Sequence, residues 1–117
     1  MNVADLLVAL HDEFRNRAYF NRLEVLDQTA TLLKARLYIS PDLFLQVYRN
    51  DHFDTTNLVL LHNGQRIYAR DQLAGVWHQH TTTAPDLHDT SAEGIRPVNL
   101  SEFLNEIETV LATLGLP

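Results

Sequence analysis

An Asn-Gly pair separates two apolar runs in the stretch Leu58-Val59-Leu60-Leu61-His62-Asn63-Gly64-Gln65-Arg66-Ile67-Tyr68-Ala69-Arg70. Both residues of the pair tolerate the positive φ angles that a type I′ turn requires. The stretch therefore predicts a β-hairpin, with one strand on each side of the Asn-Gly turn.

Upstream of this hairpin, alternating side chains predict further strands. Residues 35–39 and 43–49 place aliphatic side chains at every second position, with aromatic or polar ones between them. Ser40-Pro41-Asp42 joins the two as a turn, because proline presets a bend. An earlier strand over about residues 22–28 and a short one over 76–80 bring the sheet to five or six strands. The connections are too short for parallel crossovers, so we expect a mostly antiparallel sheet.

A helix is predicted at each end of the chain. Apolar residues recur at helical spacing over residues 3–17, with Asn2 as the N-cap. A second amphipathic pattern follows Asn99 or Ser101 as its N-cap and ends at Gly115. The predicted fold class is α+β: a mostly antiparallel sheet with the N-terminal and C-terminal helices packed on one face.

The composition is that of one globular domain over residues 1–117, with 45% hydrophobic and 21% charged residues. The absence of cysteine excludes a disulfide framework, a thiolate zinc site and a cysteine nucleophile. No window approaches the roughly 20 apolar residues of a membrane span, and the N-terminus lacks a secretory signal. We therefore expect a cytoplasmic protein with no membrane partner. The net charge of −6 argues against binding bulk nucleic acid, although the middle of the chain is basic.

Strand parity predicts two different sheet faces. One face is aliphatic and should lie under the helices. The other carries Arg36, Tyr38, Phe44, Gln46, Tyr48, Arg66, Tyr68 and Arg70. Such a face fits a solvated surface, a homodimer interface, or a platform that stacks bases and neutralises phosphates. The acidic net charge favours the first two of these uses.

Three of the six histidines lie within a segment of eleven residues. On a strand, His78 and His80 project to the same side, because side chains alternate with a period of two. They could share a metal ion with His88 or Asp89 from the following loop and Asp71 from the neighbouring strand. The His-x-His spacing alone does not identify a metal.

General acid–base catalysis is the second interpretation of this segment. His78 and His80 could deprotonate a ribose 2′-hydroxyl and protonate the leaving oxygen, with Arg66 or Arg70 stabilising the phosphorane. This mechanism requires no cofactor.

A purely structural interpretation also stands. The three histidines could lie at a sheet edge, with Trp77 as an anchor in the core or in an interface. We assign His11, His52 and His62 to exposed structural positions. The prolines, glycine and small polar residues of the segment 81–97 predict a long loop. A loop of this length in a compact domain is usually functional or disordered.

The order of these elements resembles that of the TumE-like toxins of prokaryotic toxin–antitoxin systems. The resemblance is carried by Tyr68-Ala69-Arg70-Asp71, then Trp77-His78-Gln79-His80, Pro85 and His88. The family often shows tandem histidine pairs after an Asp-Asn-Ala-Pro-like run, whereas this chain has Asp71-Gln72-Leu73-Ala74 and His-x-His. The resemblance implies a toxin component, or a stand-alone relative, partnered by an antitoxin protein encoded beside it. Toxins of this kind commonly attack RNA or translation.

The leading hypothesis is therefore a TumE-like protein with ribonuclease-like chemistry on RNA. His78 and His80 would be the acid and the base, with His88 as an auxiliary group. Arg70 would stabilise the anion, and Asp71 would complete the site. The alternatives are a noncatalytic homodimeric interaction module and a small metal-binding protein that uses the three histidines.

Overall fold

A computed structural model describes residues 1–89 and 91–116. Two helices and six strands follow in the order α1 (Val3–Asn16), β1 (Arg22–Gln28), β2 (Leu32–Ser40), β3 (Leu43–Asn50), β4 (Thr55–His62), β5 (Gln65–Leu73), β6 (Val76–His80) and α2 (Leu100–Leu114). Each strand pairs antiparallel with the next, so the sheet order is the chain order. The predicted α+β class is confirmed. The long loop after β6 is also present, and its Thr90 lies outside the described residues.

Tight turns join the last three strands. Asn63 and Gly64 have φ angles of 52° and 78°, as the predicted hairpin between β4 and β5 requires. A second turn of the same kind joins β5 to β6, where Ala74 and Gly75 have φ angles of 48° and 83°. This second turn, which has Ala-Gly in place of Asn-Gly, was not predicted from the sequence. Because β5 continues to this turn, Asp71 lies within the strand.

The helices are bounded by the caps that the sequence predicts. The Asn2 side chain accepts a hydrogen bond from the Asp5 amide at the start of α1. Asn99 and Glu102 form a reciprocal capping box at the start of α2, and Gly115 ends that helix at a φ of 67°. Among the described residues, no helix is long and apolar enough to cross a membrane.

Both helices cover the same face of the sheet and bury one core there. Along β2, β3 and β4, buried positions with mostly apolar side chains alternate with half-buried positions. Fully buried members of the core come from both helices and three strands: Leu10, Leu33, Leu37, Leu45, Leu58, Leu60, Phe103, Leu104 and Ile107. Each buried leucine or phenylalanine contributes about 1.5–3 kcal/mol relative to an exposed one. Because the helices cover this apolar face, the opposite face of the sheet has no helix packed on it.

We call the other side of the sheet the open face. It carries side chains from five strands: Lys34, Arg36, Tyr38, Phe44, Gln46, Tyr48, Asn57, Val59, Leu61, Arg66, Ala69, Asp71, His78 and His80. Most of these side chains are half-buried by their neighbours. The open face is therefore a polar and aromatic surface next to the predicted histidine segment.

A β-bulge in the hairpin of β4 and β5 changes which side chains reach each face. Leu60 pairs with Tyr68, but the next residue, Leu61, pairs with Arg66. Ile67 is the extra residue, and it packs against the core. A bulge inserts one residue into one strand and inverts its alternation beyond that point.

The bulge overturns part of the predicted parity of β5. Tyr68 and Arg70 lie on the helix-covered face and are buried there, so their predicted place on the open face is wrong. Asp71 instead lies on the open face. Arg66, which precedes the extra residue, stays on the open face as predicted.

Candidate functional site

The pairing of β5 with β6 brings a carboxylate and two imidazoles together on the open face. Asp71 is the register partner of His78, and Ala69 is the partner of His80. The carboxylate Oδ2 of Asp71 lies 2.9 Å from Nε2 of His80. The two side chains are only 11% and 3% exposed, so this contact is shielded from solvent.

The second nitrogen of the His80 ring is held by the loop. Nδ1 lies 2.9 Å from the backbone carbonyl oxygen of Pro85. A carbonyl only accepts hydrogen bonds, so Nδ1 carries the proton in this contact. Because both ring nitrogens are engaged, the acid or base role predicted for His80 would require one of these contacts to open. In the arrangement observed, His80 orients the site.

His88 reaches the same place from the loop. Its exposed ring lies with its centroid 4.7 Å from the rings of both His78 and His80. An isolated β-bridge positions it, in which the Asp89 amide donates to the Gln79 carbonyl at 2.8 Å. Asp71, His80 and His88 each contribute one atom that could ligate a metal ion, and these three atoms lie within 4.8 Å of one another. We call these three residues the triad.

Hydrogen-bonding atoms on the open face are left without partners. Within the part of the chain that the structure describes, three buried side-chain atoms lack one: Asn57 Oδ1, Arg66 Nε and His78 Nδ1. All three residues lie on the open face, and Asn57 is the register partner of Asp71. Buried polar groups in folded proteins are nearly always hydrogen-bonded to protein or water, so this cluster makes the open face a candidate surface for contact with a polar molecule.

Two adjoining cavities form a groove along the open face beside the triad. They have volumes of about 560 Å³ and 230 Å³ and share Gln46 and Val59 as lining residues. The other lining residues are Lys34, Tyr48, Asn57, Leu61, Gln65, Arg66, Pro85 and Asp86. Pro85 belongs both to the groove and to the contact that holds His80, so the groove borders the triad.

Cationic and aromatic side chains line the far part of the open face. The Arg36 guanidinium lies 4.8 Å from the centre of the Phe44 ring and donates from Nε to Gln46. It also donates from Nη1 to the Tyr38 hydroxyl. Within residues 1–89 and 91–116, Lys34 and Arg36 form no ion pair, so their positive charge is not neutralised by a carboxylate in contact.

Arg70 does not take part in this surface. It is fully buried on the opposite side of the sheet, where Nε lies 2.8 Å from Oε1 of Glu106. Its two other nitrogens donate to the carboxylate and to the backbone carbonyl of Glu93, at 2.9 Å and 2.7 Å. The predicted role of Arg70 as the anion stabiliser does not fit this position. Arg66 is the arginine beside the site, 3.8 Å from the exposed carboxylate of Asp86.

The helix-side network that contains Arg70 also fixes the strand that carries the histidines. The Tyr68 hydroxyl donates to Glu106 at 2.5 Å and accepts from the Gln79 side chain at 2.8 Å. Burial and the neighbouring Glu106 raise the pKa of Tyr68 to about 12. Glu106 is therefore a half-buried partner that connects α2 to β5 and β6.

A third cavity, of about 550 Å³, lies on the helix side near the start of both helices. The side chains of Leu6, Trp77, Val98 and Leu100 line it, and the buried Trp77 belongs to the core. The core role predicted for Trp77 is confirmed. This cavity lies across the sheet from the triad and contributes nothing to the histidine site.

Comparison of the chain with protein-family models, with curated proteins and with solved structures finds no match. The resemblance to TumE-like toxins therefore stays a prediction.

Proposed function

We propose that this protein is a TumE-like toxin that acts on RNA, with the groove binding the strand and the histidine site cleaving it. The observation that carries the proposal is the position of the three unpartnered polar atoms. The atoms of Asn57, Arg66 and His78 all lie on one face, beside a groove that borders a histidine cluster. A ribose-phosphate chain offers the donors, acceptors and negative charge that these atoms and their neighbours would meet.

The groove has the side chains that single-stranded RNA requires. Lys34, Arg36 and Arg66 would contact phosphates, and Tyr48 lies among them as a stacking surface for a base. Base stacking on an aromatic ring contributes about 1–3 kcal/mol per base. The net charge of −6 weakens the long-range attraction of RNA. On the open face, however, Lys34 and Arg36 form no ion pair among the described residues.

The histidine site would supply the chemistry of transesterification. His78 takes the proton of a ribose 2′-hydroxyl, and the 2′-oxygen forms a bond to the adjacent phosphorus. The bond from phosphorus to the 5′-oxygen breaks, and that oxygen takes a proton from a ring nitrogen of His88, the exposed member of the triad. Arg66 stabilises the charge that develops on the phosphoryl oxygens. The products are a 2′,3′-cyclic phosphate and a free 5′-hydroxyl.

An antitoxin partner follows from the same proposal. A protein that covered the open face would block the groove and the histidine site together, which is sufficient to silence the toxin. The competing use of this face is a homodimer interface, since tyrosine and arginine are enriched at interface hot spots. The two uses make different predictions for Tyr48.

The proposal is tested with protein lacking an affinity tag and with a labelled single-stranded RNA. We expect His78→Gln to reduce cleavage by about 100-fold or more while RNA binding persists. We expect Arg66→Met to weaken binding and to reduce the salt dependence of the affinity by about one phosphate contact. The matched controls are His52→Gln and Arg15→Met, which alter an exposed turn and an exposed ion pair.

Growth after induced expression gives the second readout. Wild type should arrest growth, and His78→Gln should not. The proposal fails where wild type neither binds nor cleaves RNA, or where His52→Gln is as damaging as His78→Gln. A Tyr48→Ala variant that converts a dimer to a monomer in sedimentation, with the histidine variants behaving as wild type, would assign the open face to an interface.

A further inference from the structure

We infer that the triad of Asp71, His80 and His88 binds one divalent transition-metal cation of the zinc class. The ligands are a carboxylate oxygen of Asp71, Nε2 of His80 and a ring nitrogen of His88. This inference goes beyond the proposed action on RNA, because metal binding is measured on the protein alone.

The spacing of the donor atoms fits one metal ion after a small movement. The three atoms lie within 4.8 Å of one another. Ligands bound at about 2.0–2.2 Å to a tetrahedral zinc ion lie about 3.3–3.6 Å apart. Asp71 and His80 are buried on neighbouring strands and are already in contact. His88 is exposed on the loop, so it is the ligand that moves to close the set.

The contact of His80 with Pro85 is the second observation that indicates a metal ligand. Nδ1 of His80 donates to the Pro85 carbonyl oxygen at 2.9 Å. Metal-binding histidines usually donate their other ring nitrogen to a carbonyl or a carboxylate, which fixes the tautomer and the orientation of the ring. Here it leaves Nε2 directed at Asp71, inside the triad.

The donor set selects the class of metal. Two imidazoles and one carboxylate suit zinc, nickel, cobalt or iron, whereas magnesium and calcium prefer oxygen ligands alone. The chain has no cysteine that would favour copper(I). Three protein ligands leave coordination positions for water, as in catalytic sites. His78 lies beside His88 but outside the triad, so its ring stays free for proton transfer.

The test is a calorimetric titration of untagged protein with zinc chloride, and with magnesium chloride as the comparison. We expect one zinc per chain and no comparable binding of magnesium. His88→Gln and Asp71→Asn should each weaken zinc binding by at least about 10-fold. His88→Gln is the informative variant, because this exposed side chain can be replaced without disturbing the core.

His52→Gln is the matched control, since it removes an exposed histidine from a distant turn. Wild-type affinity in His88→Gln, equal loss in His52→Gln, or no zinc binding by wild type would each overturn the inference. The metal site and the RNA activity fail separately. Zinc binding by a wild type with no effect on RNA retains the metal site and removes the proposed function, whereas RNA cleavage by a wild type that binds no zinc does the reverse.

Discussion

Replacing Arg70 by methionine should destabilise the fold and leave the chemistry of the open face intact. Arg70 is fully buried, and its Nε and Nη2 lie 2.8 Å and 3.1 Å from the two carboxylate oxygens of Glu106. Methionine fills much of the same volume but removes every donor. Glu106, whose side chain is 20% exposed, would keep only its contacts with Tyr68 and Arg96.

The magnitude follows from the burial of this pair. Removing one partner of a buried ion pair costs about 3–5 kcal/mol. Arg96 remains 2.7 Å from Glu106 and compensates part of its charge, so we expect the lower end, about 3 kcal/mol. For a domain of this size, that loss lowers the melting temperature by roughly 12 °C. It lowers the urea midpoint by about 2 M where the m-value is about 1.5 kcal/mol/M.

Urea unfolding followed by circular dichroism measures this loss, with Arg66→Met and Arg15→Met as matched controls. Both controls remove an arginine whose side chain is at least about one third exposed, so both should unfold close to wild type. Wild-type stability in Arg70→Met, together with loss of RNA binding in the same variant, would refute the structural role of Arg70. It would return the anion-stabilising role to that residue.

Three further predictions rest on particular residues. Burial raises the pKa of Tyr19 and Tyr68 to about 12, so two of the four tyrosines should ionise well above pH 10 in an absorbance titration. Because the raised pKa favours the neutral form in the fold, their contribution to stability is full below about pH 10 and is lost as the pH rises through 12. Asn99→Ala should cost about 1 kcal/mol in urea unfolding, since it removes the capping box of α2. Ala74→Asn should stabilise the protein by a few tenths to about 1 kcal/mol, because position 74 has a φ of 48° and asparagine tolerates that region better than alanine.

The periodic parts of the sequence predicted the fold well, because each pattern has one direct structural cause. Alternation over residues 43–49 follows from burying one face of a strand, and the structure places β3 there. Asn63-Gly64 forms the predicted turn because both residues adopt positive φ. Asn99 was one of two candidate caps, and the reciprocal contact with Glu102 identifies it as the cap.

The parity of β5 could not be predicted from alternation. Ile67 is apolar and suits a strand, and nothing in its neighbours marks it as the extra residue of a bulge. Counting by two from Arg66 therefore put Tyr68 and Arg70 on the wrong face. The signal lies far along the chain in Glu106, whose carboxylate accepts from both of them, and a tertiary contact of that kind has no local pattern.

The candidate site depends on this same bulge. The bulge moves Arg70 away from its predicted face, and it also brings Asp71 to the face that carries His80. Without the extra residue, Asp71 would face the helices and Arg70 would face the histidines, since a shift of one residue moves every side chain to the other face. With it, the carboxylate comes to 2.9 Å from His80, and the guanidinium pairs with Glu106 across the sheet. The open face gains a donor set of the kind that binds metals and loses a cation that would repel one. An arginine in the triad would oppose metal binding, so burial of Arg70 on the helix side is what makes the triad available to a cation.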